Sequence, residues 1–253
     1  MLNHLRDFPL VIFIASLVGL WLSAQLGVFL RKKLRLVEDE ERKDLATLEA
    51  ATLTLLGLII AFSFSMAIGR YDQRKNYEAE EANAIGTEYV RTDLLPPTEA
   101  GKVRKLLKEY LQQRVAFYQT RNESELQRIA AVTDGLEAEL WSSVRNVAAS
   151  QPTPTVALAV SGMNDVLNDR AYTQAAWWNR IPPAAWYLML SIAVLCNLLL
   201  GYGAHRNEPH LFLILPLALS ISFLLISDLD SPHGGIIRVL PQNLADLATR
   251  TQE

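Results

Sequence analysis

The chain has 253 residues, half of them apolar, and a formal net charge of −3. This balance gives no reason to expect a nucleic-acid partner, and the single cysteine excludes a disulfide within the chain. Four stretches contain no Asp, Glu, Lys or Arg, and each is about long enough to cross a hydrocarbon core of ~30 Å. They are residues 8–30, 50–69, 182–204 and 211–227. The sequence therefore predicts an all-α membrane protein with four transmembrane helices in a lipid bilayer.

Residues 8–30 are predicted to form the first transmembrane helix. A cleaved signal peptide is the alternative, but this apolar run is longer than the roughly 7–15 residues of a signal core. The basic sequence RKKLR follows at 31–35, as expected of a stop-transfer signal.

The charged loop at 31–49 determines the predicted orientation. It carries six basic residues, whereas the N-terminal tail carries only Arg6. Because short cytoplasmic loops are enriched in Lys and Arg, we expect this loop in the cytoplasm of a bacterium and residues 70–181 on the periplasmic side of the inner membrane. Basic residues near the opposite ends of the spans, such as Arg70 and Arg180, reduce the difference in the number of basic residues between the two sides of the membrane.

The second span is predicted to continue as one helix to about residue 95. No proline interrupts it before that point, and Gly69 is its weakest position. At 1.5 Å per residue, a helix from residue 50 would be roughly 65–70 Å long, about twice the thickness of a bilayer core. A hinge at Gly69 is the alternative, since glycine costs ~1 kcal/mol inside a helix.

One face of the second span carries small and hydroxylated residues at helical spacing. Such a face suits close packing between helices, and it also suits a narrow, weakly polar pore. Both interpretations stay open. The pore-lining candidates on and beside this face are Thr54, Leu58, Ala61, Phe62, Ser63 and Ser65.

Beyond residue 69 the same helix becomes strongly charged. A solvated face with ordinary ion pairs explains such a run, and an ion vestibule formed by several copies is the alternative. The vestibule candidates are Arg70, Arg74, Glu78, Glu81 and Asn83.

Residues 70–181 have the composition of a soluble helical bundle. Prolines in LLPPT at 94–98 end one helix, and Thr98 is predicted to cap the next, which runs to about Thr120. A third helix begins near Ser124, and a fourth at about 154–176 follows the cap residue Thr153. The predicted domains are 1–69 with two spans, 70–181 as the soluble bundle, 182–227 with two spans, and a tail at 228–253.

The ends of the last two spans carry two further signals. Trp177, Trp178 and Trp186 cluster near the start of the third span, as in an aromatic belt at the headgroup level. After the fourth span, Asp228 and Asp230 lie in SDLDSPHGG. This segment predicts an interfacial stop with a Pro-Gly turn, or alternatively a cation or gating site, because carboxylates beside backbone carbonyls suit calcium.

The sequence contains no signature of catalysis. Walker loops, zinc helix motifs and Gly-x-Ser-x-Gly elbows are missing, and the four histidines lack metal-ligand spacing. None of the spans carries an ionisable side chain in its interior, as a proton-coupled transporter usually would. The sequence therefore predicts neither an enzyme nor a metal or cofactor site.

Three motifs along the chain resemble the bacterial bestrophin-like family. They are AFSFSMAIGRYDQRKNYEAEEANAIGTEYVRTDLLP at 61–96, MNDVLNDR at 163–170, and LDSPHGGIIRV at 229–239 with Pro241 beyond it. The sequence departs from the family at DSPH (230–233), where a basic residue before the proline and an aromatic residue after it are more usual.

This resemblance implies a remote relation to the bestrophins. Those proteins are oligomeric anion channels with four spans per subunit, a pore lined by the second span, and a large helical domain that continues from it in the cytoplasm. This cytoplasmic position is opposite to the periplasmic position that the charges predict for residues 70–181. The predicted function is a homo-oligomeric ion channel, and a non-conducting scaffold or sensor whose helical domain binds a partner is the alternative.

Overall fold

The computed structural model describes residues 8–34, 39–203 and 211–251, and these residues are almost entirely helical. No strand occurs within these ranges, so the all-α prediction is confirmed. A 3₁₀ turn, Thr92–Leu94, follows the second helix. In chain order the helices are α1 Pro9–Leu34, α2 Asp39–Arg91, α3 Pro97–Gln119, α4 Glu123–Ser150, α5 Pro154–Trp178, α6 Pro183–Gly203, α7 Leu211–Asp230 and α8 Gln242–Arg250.

Four helical segments of the described chain are long and apolar enough to cross a membrane. Each contains a window with a mean hydropathy of 1.9 to 2.2. The segments are Pro9–Lys33, Lys43–Leu94, Pro154–Gly203 and Phe212–Asp230. The four predicted spans are therefore present as helices, and the chain is a membrane protein.

The chain divides into two compact units. The first combines residues up to 70 with residues 180–237, and it contains the apolar segments of the spans. The second combines residues 71–179 with the chain from 238 onward. The C-terminal helix α8 therefore belongs to the second unit, which the sequence did not predict.

The helix α2 passes from the first unit into the second without interruption. It contains 53 residues and includes Gly69, where an added Cβ would meet nothing within 4 Å. The prediction of a continuous helix is confirmed, and a hinge at Gly69 is not observed. The segment at 31–49, predicted as a loop, is helical through Leu34 and again from Asp39, because it contains neither glycine nor proline.

Caps at the helix starts follow the predictions only in part. Thr153 accepts a hydrogen bond from the backbone N–H of Val156 at 3.2 Å, so it caps α5 as expected. Thr98 does not cap α3, because that helix already begins at Pro97, whose missing N–H is tolerated in the first turn.

The core of the second unit is built from α2, α3, α4, α5 and α8. An apolar stripe of α3 is buried in it, including Val103, Leu107 and Tyr110. Trp177 is 5% exposed and packs edge-on against Phe117, with ring centroids 4.9 Å apart. The prediction that Trp177 belongs to an aromatic belt is therefore wrong, because its ring completes a helical core.

Two glycines allow α1 and α6 to cross at close range in the first unit. An added Cβ at Gly27 would lie 2.1 Å from the carbonyl oxygen of Leu198. An added Cβ at Gly201 would lie 1.9 Å from the carbonyl oxygen of Ala24. Small residues at membrane-helix crossings permit this approach of two backbones, which gains dispersion contacts along both helices.

Replacement of Gly201 by alanine is expected to lower stability by forcing these backbones apart. Overpacking of this kind costs ~1–3 kcal/mol, which thermal unfolding in detergent would detect. Gly203→Ala is the matched control on the same helix, because a Cβ there meets nothing within 4 Å. Equal melting temperatures for both variants would show that the crossing is not tightly packed.

Candidate functional site

The face of α2 that the sequence singled out is open on this chain. Thr54, Leu58, Ala61 and Ser65 are exposed and lie along one stripe of the helix, since they are three or four residues apart. Phe62 is exposed beside the stripe. Phe62 and Leu58 expose 62% and 52% of their surfaces. Within the described ranges, this face is not used in packing against other helices of the chain.

Ser63 differs from the other pore-lining candidates. Its residue is 2% exposed, and it lies in a buried stripe of α2 with Leu56 and Ala67. Two residues along a helix turn the side chain by about 200°. Ser63 therefore faces away from Ala61 and Ser65, and it is removed from the candidate face.

Three of the five vestibule candidates are buried within the second unit. Arg74 is 2% exposed, Glu78 is 1% exposed and Glu81 is fully buried. Asn83 is exposed, and Arg70 is partly buried in the first unit. The interpretation of Arg74, Glu78 and Glu81 as lining a water-filled vestibule is therefore corrected. These charges face protein because α2 is a central helix of the bundle.

Glu81 is the acceptor at the centre of a buried polar network. It forms an ion pair with Arg114 of α3, whose Nη2 lies 3.3 Å from Glu81 Oε2. The hydroxyls of Tyr118 and Thr173 donate to the same oxygen, each at 3.3 Å. The guanidinium of Arg114 also lies 4.5 Å from the ring centroid of Phe117. One carboxylate thus ties α2 to α3 and α5.

Arg114 and Tyr118 of this network keep their ordinary protonation states. Burial alone would lower the pKa of Arg114, but the adjacent Glu81 carboxylate raises it, and the net direction is upward. Burial raises the pKa of Tyr118, and the negative charge of Glu81 raises it further. Arg114 therefore stays a cation and Tyr118 stays a neutral donor at physiological pH.

Glu78 holds the C-terminal helix on α2. Its Oε2 accepts a hydrogen bond from the Asn243 side chain at 2.6 Å, and its Oε1 accepts one from the backbone N–H of Leu244 at 3.0 Å. The residue before α8 is Pro241, which provides no side-chain cap. A carboxylate from α2 therefore satisfies an N-terminal backbone donor of α8, with a favourable alignment to the helix dipole.

The two aspartates after the fourth span bind backbone groups. Asp228 accepts hydrogen bonds from the N–H groups of Ile236 and Ile237 at 2.6 and 2.7 Å. Asp230 accepts one from Ile181 N–H at 2.9 Å, and its Oδ1 lies 3.9 Å from Arg70 Nη1. The interpretation as a turn is supported. Backbone donors occupy both oxygens of Asp228 and one oxygen of Asp230. An ion or gating site at these two residues stays a prediction.

Sequence reasoning missed the partners of the buried carboxylates. Arg114 stands within the apolar stripe of α3, and a cation in such a stripe indicates a buried anion nearby. Arg170 of MNDVLNDR is also buried, and its two Nη atoms donate to Asp134 and Glu137 of α4, each at 2.6 Å. Arg170 of that motif therefore connects α5 to α4.

The chain matches one family profile, described as the Bestrophin-like domain, over residues 34–244. It is also similar to crystal structures of a bacterial bestrophin homologue from Klebsiella pneumoniae. A single-substitution variant superposes with a TM-score of 0.66 at 13% identity, covering 94% of this chain and 99% of that chain. A structure solved by Zn-SAD phasing gives a TM-score of 0.62 at 13% identity, covering 95% and 98%. No curated protein matches the chain.

Truncation of Glu81 to alanine is expected to destabilise the second unit strongly, because Arg114 would remain charged and buried without its partner. Loss of one partner of a buried ion pair costs ~3–5 kcal/mol. Thermal unfolding of the detergent-solubilised chain measures the loss. A double variant, Glu81→Leu with Arg114→Met, should be more stable than Glu81→Leu alone, since it buries no unpaired charge.

The exposed pair of Glu125 and Arg128 on α4 supplies the control. These side chains lie 2.5 Å apart but remain largely in solvent, so Glu125→Ala should change the melting temperature little. If Glu81→Ala lowers the melting temperature as little as Glu125→Ala does, the buried network does not stabilise the bundle.

Proposed function

Because the chain belongs to the bestrophin-like family, we propose that it is a homo-oligomeric ion channel of the bestrophin type whose pore is lined by α2. The resemblance seen in the sequence is confirmed by the match over residues 34–244. The proposal includes the class of ion that is conducted and the residues that line the pore.

The observation that carries the proposal is the exposure of α2 within its span. Only 17% of its most apolar window is buried inside the chain, against 33%, 33% and 50% for the other three segments. A transmembrane helix that packs so little within its own chain can pack against lipid or against other copies. Small residues favour close approach between copies, and this face carries them.

The composition of this face suits a narrow conduction path. Thr54 and Ser65 provide hydroxyl groups at two levels of α2, about 16 Å apart along the helix axis. Leu58, Ala61 and Phe62 lie between them and would form apolar constrictions, which gate by excluding water. The residues proposed to line the pore are thus Thr54, Leu58, Ala61, Phe62 and Ser65.

The apolar character of the spans in a single copy favours a route between copies. The span at 50–69 carries no charged residue. A cavity of about 310 Å³ lies between α1 and α6, but its lining, which includes Val11, Leu20 and Leu190, is almost wholly apolar. We therefore propose that several copies bring their α2 faces around a common axis. Anions are proposed as the conducted class because the family resemblance implies them.

The proposed location is the inner membrane of a bacterium. The basic residues at 31–43 favour a cytoplasmic position for that segment, which would place residues 70–181 in the periplasm. The resemblance to bestrophins implies the reverse orientation, and a labelling experiment distinguishes the two.

Replacement of Ser65 by leucine is expected to reduce salt-gradient currents in liposomes that contain the purified protein. Leucine at this position removes the hydroxyl group of Ser65 and narrows the proposed pore at the same point along α2. We expect a loss of roughly tenfold, equivalent to an added barrier of about 1.4 kcal/mol. Current at a fixed protein-to-lipid ratio is the measurement.

Ser191→Leu is the matched control for that experiment. Ser191 is an exposed serine of α6, and its hydroxyl is bonded to the carbonyl of Tyr187 at 2.7 Å. This variant should conduct like the native chain. An inert chain that is also monomeric in detergent would contradict the channel proposal and favour the scaffold or sensor.

A cysteine at position 124 is expected to react with a membrane-impermeant maleimide added outside intact spheroplasts. Ser124 is exposed near the start of α4, and the chain's own cysteine, Cys196, is buried and can be replaced by alanine. Labelling only after lysis would place the second unit in the cytoplasm and overturn the orientation that the charges predict.

A further inference from the structure

A polar cavity of about 360 Å³ opens between α2 and α5 in the second unit. Its acidic side chains are Glu80 from α2 and Asp165 and Asp169 from α5. Arg91 also lines it, with Nη1 3.9 Å from Asp165 Oδ2. Three carboxylates face one guanidinium, so the cavity carries an unbalanced negative charge.

Glu88 lies directly behind this lining. The residue is fully buried, and neither oxygen of its carboxyl group has a hydrogen-bond partner. A Cβ at Gly162, which lines the cavity, would lie 2.1 Å from Glu88 Oε2 and 2.4 Å from Arg91 Nη1. The carboxyl group therefore lies against the buried backbone of Gly162, where it and the Arg91 guanidinium fill the space that a side chain would take.

A buried carboxyl group without a donor is costly, and native proteins seldom retain one unless another group satisfies it. Gly162 itself lines the cavity, so the Glu88 carboxyl group lies close behind the cavity wall, within reach of the charge of a bound cation. The acidic lining and the unsatisfied carboxyl group are independent observations, and both indicate a positively charged ligand.

The spacing of the acids favours an organic cation over a metal ion. Across the described residues, no three Asp, Glu, His or Cys side chains are arranged to hold one metal ion. An ammonium group is larger, carries its own N–H donors and needs no tight coordination sphere. The cavity also has room for a short carbon chain behind such a group.

We propose that this cavity binds a small organic cation with primary ammonium groups. One ammonium group contacts Asp165, Asp169 or Glu80, and its positive charge stabilises the ionised form of Glu88. Binding does not depend on whether the protein conducts ions, so the two proposals are tested separately.

Binding should be linked to the protonation of Glu88. Burial raises the pKa of this carboxyl group to about 8; Arg91 of the same helix acts to lower it, and Asp165 of α5 acts to raise it. The 3₁₀ turn that packs against α5 contributes Asp93, which is paired with Arg104. A cation is favoured by the ionised carboxylate, so affinity should rise as the pH increases through this pKa.

Calorimetric titration of the full chain in detergent with putrescine tests the site. Between pH 6.5 and pH 8.5 we expect the affinity to increase roughly tenfold, because a carboxyl group with a pKa of about 8 changes from mostly protonated to mostly ionised. Glu88→Gln should bind at pH 8.5 as weakly as the native chain does at pH 6.5. Asp169→Asn should weaken binding at both pH values.

Glu139→Gln is the control, since it removes an exposed carboxylate of α4 away from the cavity. It should leave both the affinity and its pH dependence unchanged. Absence of putrescine binding to the native chain, or equal weakening by Glu139→Gln, would overturn the proposal. So would a pH dependence that persists in Glu88→Gln, or a stronger response to magnesium than to putrescine.

Discussion

An unbroken run of backbone hydrogen bonds in α2, from Asp39 to Arg91, is the constraint on which the rest of this fold depends. One stripe of this helix is buried along both units, and its chemistry changes on the way. In the first unit the stripe consists of Leu56, Ser63 and Ala67, and in the second it contains Glu78 and Glu81. The same helical period thus serves packing between apolar helices at one end and a polar network at the other.

The buried charges of α2 explain why the second unit is a specific bundle rather than a loose one. Each carboxylate needs particular donors, and those donors come from α3, α5 and α8. Purely apolar contacts would tolerate small rotations of these helices. A buried carboxylate that loses its donor leaves a charge in a medium of low dielectric, so alternative packings are disfavoured.

The sequence was sufficient for features that depend on local chemistry. Apolar length located the spans, and the Thr153-Pro154 pair located the start of α5. The sequence was insufficient where a side chain could lie either in the core or on the surface. Spacing separates Ser63 from Ser65 but does not say which face meets neighbouring helices, and the core position of Trp177 depends on Phe117, which is remote in sequence. The backbone partners of Asp228 likewise follow from the tertiary fold.

The docking of α8 imposes an order on biosynthesis. Asn243 follows Glu78 by 165 residues, which corresponds to roughly 8–33 s of translation at ~5–20 residues per second. During that interval all the remaining spans are synthesised while the Glu78 carboxylate lacks its final donors. The docking of α8 on Glu78 is therefore a late event, which comes after the third and fourth spans have been synthesised.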